Sequence, residues 1–224
     1  MPPSSRLPAL HSYDILHSAQ EPLFDDLTAL AAYIFSVPVA RIAFVADEEV
    51  WHKAGVGMPA QDSLPIEQSI CPQAVRHELP VLVFPDLAAR PELSTPAMRA
   101  QQVVFYAGAQ LRAPQGGCLG TLCLAGYEPR ELTAAEQQML AHLAELTMLA
   151  LEARRRLRAA DAGRWEQLRR TAETELRNQM ALVRYLKVRS GGQVPVPADF
   201  LEEVSRRLRE VADILAAAGQ EQAR

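Results

Sequence analysis

Residues 103–126 read VVFYAGAQLRAPQGGCLGTLCLAG, two apolar runs that flank the turn signal PQGG. Glycine adopts the positive φ of tight turns at little cost, so this pattern predicts two antiparallel strands joined by a short turn. Successive side chains of a strand point to opposite faces. The neighbours Phe105 and Tyr106 are therefore expected on opposite faces of the sheet, and at most one of them should reach a given pocket.

The segments before this hairpin alternate between helical and strand patterns. Residues 21–37, EPLFDDLTALAAYIFSV, place apolar side chains at intervals of three and four, which predicts a helix lying on a core. The β-rich runs 40–46 and 50–54 flank a polar turn at 47–49 and predict a second hairpin. With the run PVLVFP at 80–85, about five strands are expected. Strands with helices before and between them predict an α+β layered domain.

Charge and proline content divide the chain near residue 151. Residues 1–151 carry 8 Lys/Arg against 16 Asp/Glu, residues 152–189 carry 11 against 5, and residues 190–224 carry 4 against 6. The formal charges of these parts are −8, +6 and −2, within a net charge of −4. No proline lies between Pro129 and Pro195. Since proline breaks helix interiors, this gap permits one very long helix.

A heptad pattern fills that gap. Thr133 followed by Glu136 is a capping box that opens a helix, and apolar residues then recur at alternating intervals of four and three. The pattern shifts phase near Gly163, a residue that weakens helices, and then resumes. Such a seam predicts pairing with a second helix. The sequence therefore predicts one long coiled-coil helix over 133–188 and a homodimer.

The remaining residues predict a helical hairpin. A loop over 189–198 and a last helix over 199–218 would complete a four-helix bundle between two copies of the chain. The predicted dimer interface consists of Met139, Leu143, Leu146, Ala150, Ala153, Leu157, Trp165, Leu168, Leu176, Met180, Val183, Val204, Leu208 and Val211.

The first part of the chain resembles a GAF domain of the subgroup found with bacterial sensor histidine kinases and diguanylate cyclases. The matching stretches are LPALHSYDIL, EPLFDDLTALAAYIFSVPVARIAFVADEEVWHKAGVG, SICPQAV, VLVFPDLAARPEL, VVFYAGAQLRAPQGGCLGTLCLAG and PRELTAAEQQMLAHLA. The resemblance assigns residues 1–152 to this domain. It implies an antiparallel sheet of five or six strands with helices on both sides, a small pocket on one face, and dimerisation through terminal helices. Members of the family sense small molecules, bind chromophores or only support a dimer.

Residues 173–216 resemble, more weakly, the hairpin that dimerises and accepts phosphate in one class of sensor histidine kinases. Members of that class carry a histidine box on the first helix of the hairpin. Here ELRNQMALV leaves no room for such a box, and all five histidines lie before residue 143. The hairpin is therefore expected to be a degenerate relative without phosphoryl chemistry, in an adaptor or a kinase remnant.

The three cysteines are the reactive candidates. Cys118 and Cys123 lie five residues apart on one predicted strand, which places them on opposite faces unless a bulge intervenes. Cys123 belongs to the expected strand and is interpreted as a packing residue. The resemblance places Cys71 in or near the helix that covers the pocket, where its thiol is either inert or activated by the helix start.

The resemblance also suggests which side chains frame the pocket. Each of them has core packing, or for His52 a simple surface position, as its alternative interpretation. The candidate ligand-binding residues are Phe44, Trp51, His52, Cys71, Phe105, Tyr106 and Thr121.

Composition and motifs exclude several function classes. With 49% hydrophobic and 22% charged residues and no apolar run of membrane-spanning length, the chain is expected to be globular, without a membrane span. The N-terminus lacks the pattern of a secretory signal, which predicts the cytoplasm. No phosphate-binding loop, catalytic triad or metal motif is present. The basic run RRRLR at 154–158 is interpreted as the solvated flank of a paired helix, so nucleic acid is not an expected partner.

The predicted function is a non-enzymatic sensing and dimerisation module with a small-molecule ligand and no required cofactor. One alternative is a ligand-free scaffold that recruits a kinase or response regulator through the hairpin. A lesser alternative is a cysteine-based redox sensor or a reductase. The methionine sulfoxide reductases and the bilin-binding domains of the family share too few residues with this chain to be favoured.

Overall fold

The computed structural model describes residues 3–57, 63–189 and 194–217, which form a six-stranded antiparallel sheet between two sets of helices. The strands are β1 (Val39–Val45), β2 (Glu49–Val56), β3 (Ser63–Pro65), β4 (Val81–Phe84), β5 (Phe105–Arg112) and β6 (Cys118–Gly126). The helices are α1 (Pro3–Ser12), α2 (Pro22–Phe35), α3 (Cys71–Arg76), α4 (Pro96–Ala100), α5 (Ala134–Ala160), α6 (Ala162–Arg189) and α7 (Ala198–Ala216), with a 3-10 turn at Ile66–Gln68.

The strand order is β3-β2-β1-β6-β5-β4, and every neighbouring pair is antiparallel. Both predicted hairpins are present, β1–β2 and β5–β6. Gly116 and Gly117, in the turn of the second hairpin, have φ of 85° and 94°, the conformation that favours glycine. The observed α+β fold matches the prediction, with one strand more than the five counted, since the three-residue β3 is too short for a hydrophobic pattern to identify.

The two faces of the sheet carry separate hydrophobic clusters. One face packs against α2 and α5 and holds Phe105, Leu122 and Leu124, while the other packs against α3 and α4 and holds Tyr106 and Cys123. Alternation along β5 and β6 produces this division. Phe105 and Tyr106 accordingly lie on opposite faces, as expected.

The helical part differs from the predicted continuous helix. Asp161 interrupts it with φ −155° and ψ 90°, and its side chain accepts a hydrogen bond from the Arg164 backbone amide at 2.9 Å, which caps the start of α6. Helix α6 then packs against α2, α5 and α7 of the same chain. The prediction of one helix over 133–188 is therefore corrected to two helices. Asp161 is a good capping residue, and Gly163 two positions later weakens a continuous helix, so both favour a break in the helix at this point.

The predicted interface residues lie inside this helical layer. Leu143, Ala150, Val183, Leu208 and Val211 have no exposed surface, and the remainder of the set is buried or partly buried in the same core. The seam therefore packs within one chain, so these side chains do not offer an exposed surface to a second copy. A heptad pattern records that helices pack together, but it does not distinguish partners in one chain from partners in two.

The predicted boundaries of the C-terminal hairpin are met in part. Helix α7 begins at Ala198, one residue before the predicted start, and its last described turn ends at Ala216. Residues 190–193 of the predicted loop, and residue 218, lie outside the described residues. Within the described ranges, no helix combines the length and the apolar character needed to cross a membrane.

Candidate functional site

A pocket opens on the sheet face opposite α2 and α5. Strands β1, β2, β5 and β6 form its floor, and α3 and α4 form its cover. It encloses about 510 Å³ of space, including its open mouth. The wall is mainly apolar and includes Val39, Leu64, Ile70, Met98, Val103 and Ala125. A largely apolar cleft with a few polar groups is the usual form of a small-molecule site.

Arg41 and His52 are neighbours in the wall on β1 and β2. An Arg41 Nη1 hydrogen donates to His52 Nδ1 at 3.1 Å, which requires the tautomer of His52 with an unprotonated Nδ1. Arg41 is buried, and burial lowers the pKa of its guanidinium, while the nearby thiols of Cys123 and Cys71 act in the opposite direction. A buried cation beside apolar surface provides a recognition group for a polar end of a ligand.

Cys71 and Cys123 meet deeper in the same pocket. Cys71 is the first residue of α3, and Cys123 lies in β6. The Tyr106 hydroxyl donates to Cys71 Sγ at 3.6 Å. A Cβ at position 108 would lie 2.5 Å from the Tyr106 oxygen, so Gly108 gives the phenol the space that it occupies. The three side chains are buried, yet they line a pocket that is open to solvent.

The surroundings shift the pKa values of the two thiols in opposite directions. The hydrogen bond from Cys123 lowers the pKa of Cys71 to about 6, with help from Thr121, Ser69 and Tyr106 and against the effect of burial. The same interaction raises the pKa of Cys123 well above its usual value, as does burial. Of the two thiols, Cys71 is therefore the one whose surroundings favour the anion.

Thr121 lies on the same face of β6 as Cys123. Its side chain has no exposed surface, and its hydroxyl has no hydrogen-bond partner among the described residues, although it lies near enough to lower the pKa of Cys71. A second unpaired buried acceptor, Gln101 Oε1, borders the pocket. Buried polar atoms without partners are uncommon, and in a cleft they mark positions that a bound molecule can satisfy.

Cys118 also belongs to the hydrophobic cluster on the pocket side, but it does not line the pocket. A bulge opposite Leu111 and Arg112 shifts the register of β6, so Cys118 and Cys123 lie on the same face despite their odd separation. The bulge is the exception that the sequence pattern left open. All three cysteines are free thiols.

The structure divides the seven candidate ligand residues into two groups. His52, Cys71 and Tyr106 line the pocket, and Thr121 lies behind them. The other three, Phe44, Trp51 and Phe105, pack in the core beneath α2 and α5, on the opposite face of the sheet. Their prediction as pocket residues is corrected because strand alternation points them away from the cover helices.

Two functional features could not be seen in the sequence. The first is the presence of Arg41 and Gln101 in the pocket wall. Neither residue belongs to a motif, and their place in the wall depends on which helices cover the sheet. The other is a bulge in β2, where Lys53 is the extra residue between the pairs Ile42–Ala54 and Ala43–His52. Ordinary alternation turns His52 to the pocket and Lys53 to the helical face, and the bulge keeps Ala54 on that same face.

Lys53 and two other charged side chains form a buried network on the helical face. Lys53 Nζ and Arg154 Nε contact the same Glu21 oxygen, Oε1, at 2.9 and 2.8 Å, and Arg154 Nη1 donates to the Tyr13 carbonyl at 2.7 Å. Arg154, from the basic run at 154–158, is thus buried rather than solvated as predicted. The sequence does not distinguish Arg154 from its neighbours Arg156 and Arg158, which are exposed.

Comparison with known proteins agrees with this architecture. The sequence pattern of the GAF domain matches residues 19–151, more than half of the chain. The chain belongs to the GAF domain family. GAF domains are signalling and sensing domains, and in this GAF domain the pocket lies between the sheet and α3–α4.

One curated relative extends beyond the GAF domain. A cyclic di-GMP phosphodiesterase from Pseudomonas aeruginosa is 27% identical over 202 residues, which cover 88% of this chain and 32% of the relative. This chain therefore spans about a third of the length of that protein.

Solved structures share the fold at low identity. The GAF domain of a phosphoenolpyruvate-protein phosphotransferase from Acinetobacter superposes with a TM-score of 0.52 at 13% identity, covering 69% of this chain and 95% of that one. A free methionine-R-sulfoxide reductase from Neisseria meningitidis, solved with its substrate, gives a TM-score of 0.51 at 17% identity, covering 68% and 90%. These similarities support the fold alone.

Proposed function

We propose that this chain is the sensory module of a bacterial signal-transduction protein, in which the GAF pocket binds a small molecule and the helical layer passes the change on. The observation that carries the proposal is the apolar pocket whose wall holds Arg41, His52 and the unpaired Gln101 Oε1. Such a wall suits a ligand with an apolar body and a polar edge that donates to Gln101.

The sheet itself offers a route from the pocket to the helices. In β2, His52 faces the pocket while its neighbour Lys53 joins Glu21 and Arg154 on the helical face. Arg154 belongs to α5, so a ligand that displaces His52 also acts on the strand that anchors α5. The coupling would pass through this strand because a shift of β2 would alter the polar contacts on both of its sides.

A pair of substitutions on α4 tests ligand binding. Ala97 lines the pocket, whereas Ala100 on the same helix is exposed. Native mass spectrometry of the protein purified from its own host should detect a retained small molecule. Ala97→Phe should abolish its retention by filling the pocket, and Ala100→Phe should leave it unchanged. A pocket that stays empty in the unaltered protein would contradict ligand sensing.

The alternative proposal is a scaffold without a ligand that recruits a kinase or response regulator through α6 and α7. The weak resemblance of residues 173–216 to a kinase dimerisation hairpin supports this alternative. An empty pocket together with specific retention of a purified kinase or regulator by the intact chain would favour it. We do not extend the phosphodiesterase activity named for the P. aeruginosa relative to this chain, since this chain covers 32% of that protein.

The homodimer remains part of the proposal, with the cytoplasm as its location. Because the predicted seam is buried within each chain, a dimer would use other surfaces. Light scattering at micromolar concentration should give twice the mass of one chain, and a strictly monomeric protein would remove dimerisation from the proposal.

A further inference from the structure

The pocket contains a pair of thiols that ligand sensing does not use. Cys71 and Cys123 come from two different elements, α3 and β6, and both line the pocket. Cys71 Sγ lies 3.6 Å from the Tyr106 hydroxyl, which lies over Gly108, the cross-strand neighbour of Cys123, so the geometry brings the two thiols to the same part of the wall. The pair is only 4% and 8% exposed, so large reagents are excluded. The open pocket nevertheless gives small molecules a path to both sulfur atoms.

The surroundings differ between the two sulfur atoms. Cys71 Sγ accepts from the Tyr106 hydroxyl at 3.6 Å and lies at the start of α3, with the Ser69 side chain accepting a hydrogen bond from its backbone amide at 3.2 Å. The Thr121 hydroxyl also acts on this sulfur as a donor, and it has no other partner among the described residues. Donors around one sulfur favour its anion, and the thiolate is the nucleophilic form of cysteine. The lowered pKa of Cys71 and the raised pKa of Cys123 agree with this asymmetry.

We infer that Cys71 and Cys123 form a hydroperoxide-reactive dithiol, in which Cys71 attacks the oxidant and Cys123 closes a disulfide across the pocket. This modification site goes beyond the proposed ligand sensing and does not depend on it. Cys118 takes no part because it lies outside the pocket, where its thiol donates to the Gly120 carbonyl at 3.2 Å.

The chemistry balances in two steps. The Cys71 thiolate attacks one oxygen of a hydroperoxide, an S–O bond forms, the O–O bond breaks, and the departing oxide takes a proton to become an alcohol or water. Cys71 is now a sulfenic acid. The Cys123 sulfur then attacks Cys71, an S–S bond forms, the S–O bond breaks, and the leaving hydroxide takes the Cys123 proton as water. The two thiols lose two electrons in total, which reduce one hydroperoxide.

Closing this bond would alter the pocket. The covalent link would tie the cover helix α3 to β6 and remove the contact between Cys71 and the Tyr106 hydroxyl. Oxidation would therefore change the shape of the pocket and the position of β6, which packs on the helical face through Leu122 and Leu124.

The test uses the intact chain with Cys118→Ser, which leaves only the two pocket thiols. Treatment of the reduced protein with one equivalent of hydrogen peroxide should remove both titratable thiols and lower the intact mass by about 2 Da, the loss of two hydrogens. Non-reducing electrophoresis should show a single-chain species. Two thiols that remain titratable, a gain of oxygen without loss of hydrogen, or a disulfide between chains would each overturn the inference.

Two further variants separate the roles of the thiols. With Cys123→Ser the reaction should stop at the Cys71 sulfenic acid, seen as a gain of about 16 Da that dimedone traps. With Cys71→Ser the rate of thiol loss should fall at least about tenfold, since the thiolate is the reactive form. Equal rates for Cys71→Ser and the unaltered protein would overturn the assignment. Circular dichroism is used to check that each variant is folded. The Cys118→Ser result does not depend on these two variants.

Discussion

At the scale of single residues, Glu21 pairs with two buried cations. The side chains of Lys53 and Arg154 are 0% and 1% exposed, and both contact Glu21 Oε1. Burying a charge without a partner costs several kcal/mol, so the network is stable only while Glu21 is ionised.

Glu21→Gln should therefore lower the free energy of unfolding by about 3–5 kcal/mol, because it leaves both cations without a carboxylate. Urea denaturation followed by circular dichroism measures this loss. The matched control is Glu92→Gln, which breaks the exposed pair with Arg90 and should change stability by less than about 1 kcal/mol. Equal effects of the two substitutions would show that the buried network contributes no more than a surface pair.

The same carboxylate predicts a pH dependence. Burial opposes ionisation of Glu21, but the hydrogen bond and charge of Lys53, together with Arg154, outweigh it and lower the pKa of Glu21. A depressed folded pKa contributes stability above the unfolded value of about 4.3, and this contribution disappears as the pH falls through the folded pKa. Between about pH 5 and pH 2, the unfolding free energy of Glu21→Gln should vary less with pH than that of the unaltered protein. Parallel curves would contradict the lowered pKa.

At the scale of secondary-structure elements, local sequence predicted much of what is observed. The capping box is present as predicted: Thr133 Oγ1 accepts from the Glu136 amide at 3.2 Å, and Glu136 Oε2 accepts from the Thr133 amide at 2.9 Å. Hairpins and helix starts depend on neighbouring residues, so they are readable from sequence. The β2 bulge at Lys53 has no such local signal, and the lysine's partner Glu21 lies more than thirty residues away in the sequence.

The candidate site residues, too, could be predicted where neighbouring residues decide their position and not where tertiary packing does. Alternation correctly separated Phe105 from Tyr106, but it could not tell which face of the sheet carries the pocket. That assignment depends on the packing of α3, α4 and α5, a tertiary property. The resemblance suggests Trp51 and Phe44 as pocket residues, whereas both lie in the hydrophobic cluster on the other face of the sheet.

The break between α5 and α6 gives a prediction at this scale. Gly163 lies in the first turn of α6, and a Cβ added there would meet Asp161 Oδ1 at 3.5 Å, an ordinary contact. Gly163→Ala should therefore raise the free energy of unfolding by about 0.5–1 kcal/mol. Gly57→Ala is the contrasting control, since φ is +84° and the new Cβ would lie 1.7 Å from the Pro38 carbonyl oxygen. Thermal denaturation should show opposite shifts, and a lower midpoint for Gly163→Ala would contradict the accommodating geometry.

At the scale of the whole molecule, the direction of α6 after Asp161 decides how the helical layer packs. The reversal lets α6 cover α2, and Arg177 pairs with Asp26 at 3.2 Å. Helix α7 then fills the space between α5 and α6 with Leu208 and Val211. One chain thereby buries the apolar seam that the heptad pattern assigned to a dimer. The heptad pattern identified the apolar stripe correctly, but the turn at Asp161 decides which helix packs against that stripe.

Small-angle X-ray scattering distinguishes the two arrangements. A single helix over 133–188 would extend roughly 80 Å at 1.5 Å per residue, whereas a compact chain of this length has a radius of gyration of about 17 Å. The two arrangements are compared on the fraction that elutes with the mass of one chain in size-exclusion chromatography with in-line scattering, and for it we expect a compact profile with a maximum dimension well below that of the extended helix. Asp161→Ala removes the cap that starts α6 and should favour the continuous helix, so its radius of gyration should be larger than that of the unaltered protein. An extended profile for the unaltered monomer would show that α6 leaves α2, and that the apolar seam is exposed for pairing with a second copy.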